Sequence, residues 1–378
     1  MDENQTVDFW LLFTSLVLAS IGLVMVYSST MYLSMDRVGD GMFYFKKQAF
    51  RLLIGIVVMM FLTKVNYRGY AKIGKYLLFF GFLLLVTLLV QKQIHHRAVN
   101  RWLHIGRFGI QPSEIMKVIV IIYLSSAIAQ LGGKVREFKK GFLPLLTAII
   151  TTFVFVVLEP DFGTAGLIMV IGFFIIFIGR AKLAHLLLVT IPAAGALALI
   201  VKTVPYMQNR VELFLDPSKA YQTTQSIIGI GSGGLFGVGL GNSTQKFLFL
   251  PENHTDFVFS IFAEEVGLVG SSVLLLLLFI YIMRGFRIAR QAPDMFGFLL
   301  ASGLSLMIGV QVFINIGVAT RLLPTTGMTL PFISYGGSSL LLSFIATGIL
   351  LNISKQGNYE QRLSKEFGSR LHRRSVWE

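Results

Sequence analysis

The sequence predicts an all-α membrane protein: ten transmembrane helices, with a large extracellular loop between the seventh and the eighth. Three observations carry that prediction. First, 54% of the 378 residues are hydrophobic and only 14% are charged, where soluble domains are about a quarter charged; the mean hydropathy is +0.71. Second, apolar runs long enough to cross a bilayer as helices, about 20 residues each, recur along the chain. They lack the every-second-residue alternation of an outer-membrane strand. Third, lysine and arginine are concentrated in alternate connections, as the positive-inside rule requires of a multi-pass protein.

The spans are read at 8–28, 48–63, 76–91, 112–132, 142–158, 164–179, 183–202, 258–283, 295–319 and 330–353. An even number puts both termini on one side. The connections 64–75, 134–140, 180–182 and 284–290 share that side and hold 13 Lys or Arg in 29 residues; the tail after Ile353 adds six. That side is read as cytoplasmic. Residues 1–354 form the polytopic domain and 355–378 a cytoplasmic basic tail. The first run, Phe9 to Val26, follows a stretch without a basic region and lacks a small-residue cleavage site. It is read as a span, not a removable signal. The net charge of +14 is assigned to topology and to anionic lipid. No zinc-finger spacing, RNP-type motif or P-loop occurs, so nucleic acid is not an expected partner. With no cysteine, disulfides and thiolate metal sites are excluded.

The connection 203–257 is the longest, and structureless runs of that length are uncommon unless functional. VPYMQNRVELFLD is read as an amphipathic interfacial helix. Seven glycines follow between Gly229 and Gly241, permitting positive φ and close backbone approach. The stretch is also apolar, like a re-entrant loop, which membranes tolerate only against protein or a water-filled cavity.

Four clusters carry candidate chemistry. In LPENHTDFVFS, Asp256 stands at the mouth of an apolar helix. It is either a helix cap or a carboxylate desolvated by Phe257, Phe259 and Phe262, with its pKa raised toward that of a general base. His254 and Glu252 are placed to tune it; His254 is otherwise a loop histidine. Glu264 and Glu265 lie about two turns deeper, as functional acids or as partners of a basic residue elsewhere. In RWLHIGRFGIQPSEIMK, Pro112 suits a first helical turn. Glu114 and Lys117 share a face there and can pair, or Lys117 holds an anionic ligand group. Arg101 and Arg107 lie outside the span, as diphosphate contacts or solvated loop charges. In LEPDFGTAG, Asp161 is a helix cap, or joins Glu159 as a candidate site for a divalent cation such as Mg or Mn. In LLPTTGMTLPFISYGGSSLLL, prolines and glycines break helicity beside a span, and Ser338 and Ser339 either bind a polar headgroup or cap the helix. No nucleophile elbow or histidine partner supports a serine hydrolase.

Together, RWL…GRFGIQPSE..K, PDFGT, YQTTQSIIGIGSGGLFGVGLGNS, LPENHTDFVFS…EEVG.VG and TLPFISYGGSSLL resemble the SEDS family of polytopic peptidoglycan glycosyltransferases. That family includes FtsW, RodA and SpoVE, and the resemblance runs from about residue 10 to 355. QKFLFLPE and the threonine of TLPFISYGG look more like FtsW and SpoVE than RodA. The resemblance implies ten spans with both termini cytoplasmic and polymerisation of lipid II into glycan strands. It implies work beside a class B penicillin-binding transpeptidase and other divisome or elongasome membrane proteins. It makes Asp256 the essential catalytic residue and adds Glu114, Lys117 and Asp161 to the site. Two departures stand out: Glu159 replaces a common glutamine, and KQIHHRAVNRW lacks the usual glycine-rich approach to Arg101.

The expected mechanism follows. Asp256 takes a proton from a sugar 4-hydroxyl as it attacks a lipid-linked donor. Lys117, Arg101 and Arg210, in that order, stabilise the departing polyprenyl diphosphate. The alternatives are a lipid II flippase, which also suits polar residues inside spans, and a non-catalytic scaffold of the septal wall-synthesis complex.

Overall fold

The computed structural model describes residues 6–94, 101–105, 108–216, 218–247, 250–251 and 254–374. Twelve helices and one hairpin are described. They are α1 (Phe9–Val38), α2 (Phe43–Leu62), α3 (Arg68–Ile94), β1 (Leu103–Ile105), β2 (Phe108–Ile110), α4 (Pro112–Leu131), α5 (Leu143–Leu158) and α6 (Phe162–Ile178). There follow α7 (Leu183–Thr203), α8 (Pro205–Leu215), α9 (Tyr221–Ser232), α10 (Val258–Arg290), α11 (Met295–Ala319) and α12 (Gly337–Arg374). Each of the ten predicted spans falls on one of these helices. Seven of them are long and apolar enough to cross a membrane. Two shorter apolar stretches lie in α6 and α7, and α2 carries Lys46, Lys47 and Arg51 in its first half.

Several boundaries differ from expectation. The last helix starts at Gly337, not 330, because Pro331 and the turn around Phe332 hold 330–336 out of helix. α12 runs on to Arg374, through most of the segment read as the basic tail. The long connection contains α8, as predicted, but also α9, which forms through YQTTQSIIGIGS despite two internal glycines.

α4, α11 and α12 run through the middle of the bundle, with α2 along α12, α3 along α4, and α1 and α11 along α10. At one end, three polar residues each cap one helix while holding another. Asp8 accepts from the Leu11 amide at the start of α1 (2.9 Å) and pairs with Arg284 near the end of α10. Asp294 caps α11 through the Gly297 amide and accepts from Tyr67 Oη (2.6 Å) and Arg68 Nε (2.8 Å). Asn352 accepts from the Tyr67 amide and donates to the Thr63 carbonyl, spanning the α2–α3 turn.

These acids satisfy free amides that the helix ends would otherwise leave unpaired. Removing one partner of a buried ion pair costs about 3–5 kcal/mol. Asp8→Ala, which loses both cap and pair, is expected to lower the thermal midpoint in detergent by more than Asp8→Asn, which keeps the cap. Equal midpoints for the two variants would show that the Arg284 pair contributes nothing.

Candidate functional site

At the opposite end, four chain segments meet around a cavity of about 200 Å³. The residues before and within α4 contribute Arg101 and Glu114, the α5–α6 turn contributes Asp161, the turn before α10 contributes Asp256, and the loop and first turn of α12 contribute Tyr335 and Ser339. Residues separated by more than 200 positions in sequence are thus brought to one opening.

The capping position of α10 is Phe257, whose side chain makes no capping bond. The turn before it is pinned through its backbone. The Asp256 carbonyl accepts from Asn315 Nδ2 at 2.8 Å, and the same nitrogen donates to the Met328 carbonyl at 2.7 Å. Ser334 Oγ donates to the Thr255 carbonyl at 2.5 Å, and the Tyr335 amide donates to the His254 carbonyl at 2.8 Å. The His254 ring forms a three-ring cluster with Tyr44 and Tyr335, with centroids 6.2 and 5.8 Å away. Phe257, Phe259 and Phe262, which follow Asp256 in the chain, are buried. Opposite it, Gly327 has φ +78°, and a Cβ there would lie 3.7 Å from Asp256 Oδ2. Glycine at that point suits both the positive φ and the cavity space.

Asn315 was missed by sequence reasoning. It is 1% exposed near the C-terminal end of the apolar helix α11, and a buried amide needs partners. A lone asparagine inside a predicted span was the available signal.

Asp161 caps α6 through the Thr164 amide (3.2 Å), and its other oxygen accepts from Gln111 Nε2 (3.1 Å) and Ser113 Oγ (3.0 Å). Capping and a place in the cavity hold together. Lys117 and Glu114 pair at 2.7 Å with the lysine fully buried. Glu114 lines the cavity and Lys117 does not, so the lysine charge reaches the opening through its glutamate. Arg101 lines the cavity and donates to the Glu159 and Pro160 carbonyls at the end of α5.

Two sequence-predicted residues, Arg210 and Ser338, stand outside this cavity. Arg210 donates to the Thr325 carbonyl and lines a different cavity, of about 210 Å³, with Phe214, Tyr221 and Leu323. An arginine on α8 docks there on the far side of the loop whose Gly327 and Met328 face Asp256. Ser338 is buried and accepts from the Gln111 amide at 3.1 Å, joining α12 to the start of α4; only its neighbour Ser339 faces the cavity, accepting from Thr329 at 2.8 Å. Glu252, like Arg107, lies outside the described residues.

Glu159 is fully buried, and neither carboxylate oxygen has a hydrogen-bond partner among the described residues. It sits in the turn between α5 and α6. Burial pushes its pKa up to about 8, the Asp161 charge adds to the rise, and Arg101 and Lys92 oppose it. As a divalent-cation site the pair fits poorly: Asp161 already accepts three hydrogen bonds, and no group of three acidic or histidine side chains able to hold a metal occurs among the described residues.

The match to known proteins follows this geometry. The family described as "Cell cycle protein", comprising FtsW, RodA and SpoVE, matches residues 9–359. The chain belongs to that family. It is 38% identical to stage V sporulation protein E of Bacillus subtilis over 94% of this chain and 99% of that one. It is also 38% identical to the probable peptidoglycan glycosyltransferase FtsW of Thioalkalivibrio sulfidiphilus, over 93% and 90%. Among solved structures, a chain from a peptidoglycan synthase complex described as coordinating polymerization and crosslinking superposes with a TM-score of 0.76. It shares 26% identity over 93% of this chain and 98% of that one. The rod shape determining protein RodA of Thermus thermophilus gives 0.69, at 26% identity over 93% and 97%.

Glu159 gives a signed prediction. With a folded pKa of about 8 against an unfolded value of 4.5, the folded chain keeps a proton that the unfolded chain loses. Stability therefore falls as pH rises from about 4.5 to about 8. Glu159→Gln should remove that slope. Its thermal midpoint should exceed that of the wild type at pH 8.5, and the gap should close toward pH 5. A constant gap across this range would contradict the buried, protonated acid.

Proposed function

We propose that the chain is a ten-span peptidoglycan glycosyltransferase of the cell membrane that polymerises lipid II, with Asp256 as general base. Both termini face the cytoplasm and the Asp256 cavity opens outward, residues 1–354 forming the transferase domain. The observation carrying this reading is the shared cavity of Asp256, Glu114, Asp161 and Arg101. It combines a base, further acids for sugar hydroxyls and a cation, at the end of the bundle opposite the densely basic connections.

In the proposed step, Asp256 accepts the proton of an acceptor sugar 4-hydroxyl. The hydroxyl oxygen forms a bond to the anomeric carbon of the donor. The bond from that carbon to the diphosphate oxygen breaks, and polyprenyl diphosphate leaves with the electron pair. Direct displacement on an α-linked donor inverts the centre and yields a β linkage. Charge builds on the leaving diphosphate, and preorganised cations there lower the barrier. Arg101 takes that role first, since it lines the cavity; Lys117 acts through its pair with Glu114, and Arg210 is set aside because it faces the second cavity. No step is assigned to a divalent cation. A lipid-linked substrate accounts for a polar opening set among apolar helices.

The reading extends to a class B penicillin-binding transpeptidase as partner and to wall synthesis during division or sporulation. Its support is the likeness to the synthase-complex chain and to FtsW and SpoVE relatives.

The test is polymerisation of labelled lipid II by the purified chain, with and without a cognate transpeptidase. General-base assistance is typically about 10² to 10⁴-fold, and Asp256→Asn should lose activity on that scale at an unchanged thermal midpoint. A flippase makes no glycan in this assay, and a scaffold makes as much with Asp256→Asn as without it; either outcome overturns the proposal.

A further inference from the structure

Below Asp256, α10 is not a continuous helix. Gly267 has φ +68° and ψ −168°, extended values foreign to a helix. A break there frees backbone groups that the membrane interior cannot leave unpaired. The glycine-rich segment pairs them. The Val238 and Gly239 amides donate to the Glu264 and Glu265 carbonyls, each at 3.0 Å, while the Leu268 and Val269 amides donate to the Gly234 and Leu235 carbonyls at 2.9 and 3.1 Å. Contact is backbone to backbone. A Cβ at Gly237 would lie 2.2 Å from the Glu265 carbonyl oxygen, and one at Gly267 would lie 2.3 Å from the Gly237 nitrogen.

The two buried acids at the break then hold the chain that returns to the site. Glu264 accepts from Ser243 Oγ, the Thr244 amide (3.0 Å), Thr244 Oγ1 (2.8 Å) and the Gln245 amide (3.4 Å). Glu265 accepts from Ser28 Oγ on α1 (2.6 Å) and pairs with Lys246 at 3.4 Å. Both are 1% exposed, and neither lines the Asp256 cavity. Asp256 lies between these anchors. The first two turns of α10 lead away from it to Glu264, and the chain approaching it leaves Glu264's hydrogen bonds at residues 243–245.

We infer that Glu264 is a positioning residue for glycosyl transfer, tying together the two chain segments that flank Asp256 so that its carboxylate stays aimed into the cavity. The inference rests on the general-base reading of Asp256. Charge-assisted bonds are the strong ones, and four donors converging on one carboxylate fix it more firmly than a lone cap. In Glu264→Gln, an NH₂ group replaces one acceptor oxygen and faces donors it cannot accept. A misplacement of about 1 Å costs on the order of 10²-fold in rate.

The experiment measures kcat and KM for lipid II polymerisation by full-length Glu264→Gln, Asp256→Asn and the double variant, each assayed with a cognate transpeptidase. Thr244→Val is a milder variant that removes one donor should Glu264→Gln fail to fold. Folded Glu264→Gln is expected to lose kcat by about 10- to 100-fold with KM within about twofold. Thr244→Val should move kcat in the same direction by less, and the double variant should match Asp256→Asn alone. A folded Glu264→Gln or Thr244→Val with wild-type kcat, beside an inactive Asp256→Asn, overturns the inference by itself. So does additive loss in the double variant, which would show that Glu264 acts independently of Asp256. Full activity of Asp256→Asn overturns the general-base reading and the inference with it.

Discussion

A helix interrupted at membrane depth must have every freed amide and carbonyl paired within the protein, because lipid supplies no partner. α10 meets that constraint with the glycine-rich segment, through four backbone hydrogen bonds exchanged across Gly267. Its first two turns are thereby a short rod, distinct from the long spanning portion that follows. The turn carrying Asp256 stands at the outer end of that rod. From there Asn315, Ser334 and Tyr335 hold its backbone against α11 and the loop before α12. The placement of the proposed base thus depends on a helix break about two turns deeper in the same element, at Gly267.

The same logic runs through the charged interior. Lys117 is paired with Glu114, Glu265 with Lys246 and Asp8 with Arg284. Buried pairs add little net stability over apolar packing, but removing one partner is costly; the Asp8 and Glu265 pairs tie α10 to the start of α1 and to the glycine-rich connection, while Glu114 offsets Lys117 within α4. Glu159 breaks the pattern: among the described residues its buried carboxyl oxygens have no hydrogen-bond partner, and burial favours the protonated form.

Most of the fold was readable because bilayer thickness sets helix length and hydropathy reports it. The Asp256 cavity was readable because acids and bases in apolar surroundings are few: Glu114, Asp161, Arg101 and Asp256 all meet as their motifs suggested. The misses share a cause. A run of glycines states that the backbone has freedom and says nothing of which carbonyls it will meet, so its exchange with α10 was invisible. Asn315 is a single polar residue whose two acceptors, at 256 and 328, are distant in sequence. Arg210 was grouped with the site because its charge suited a diphosphate, but charge carries no position, and α8 sets it against another cavity.

The account's central claim is that the cavity beside Asp256 receives both the sugar hydroxyl and the departing diphosphate. The most direct measurement is an experimental structure of the Asp256→Asn chain with lipid II bound. The account predicts an acceptor 4-hydroxyl within about 3.2 Å of the side chain at position 256, with a diphosphate against Arg101. Saccharide and diphosphate seated instead in the Arg210 cavity, with the opening between Glu114 and Asp256 empty, would contradict it.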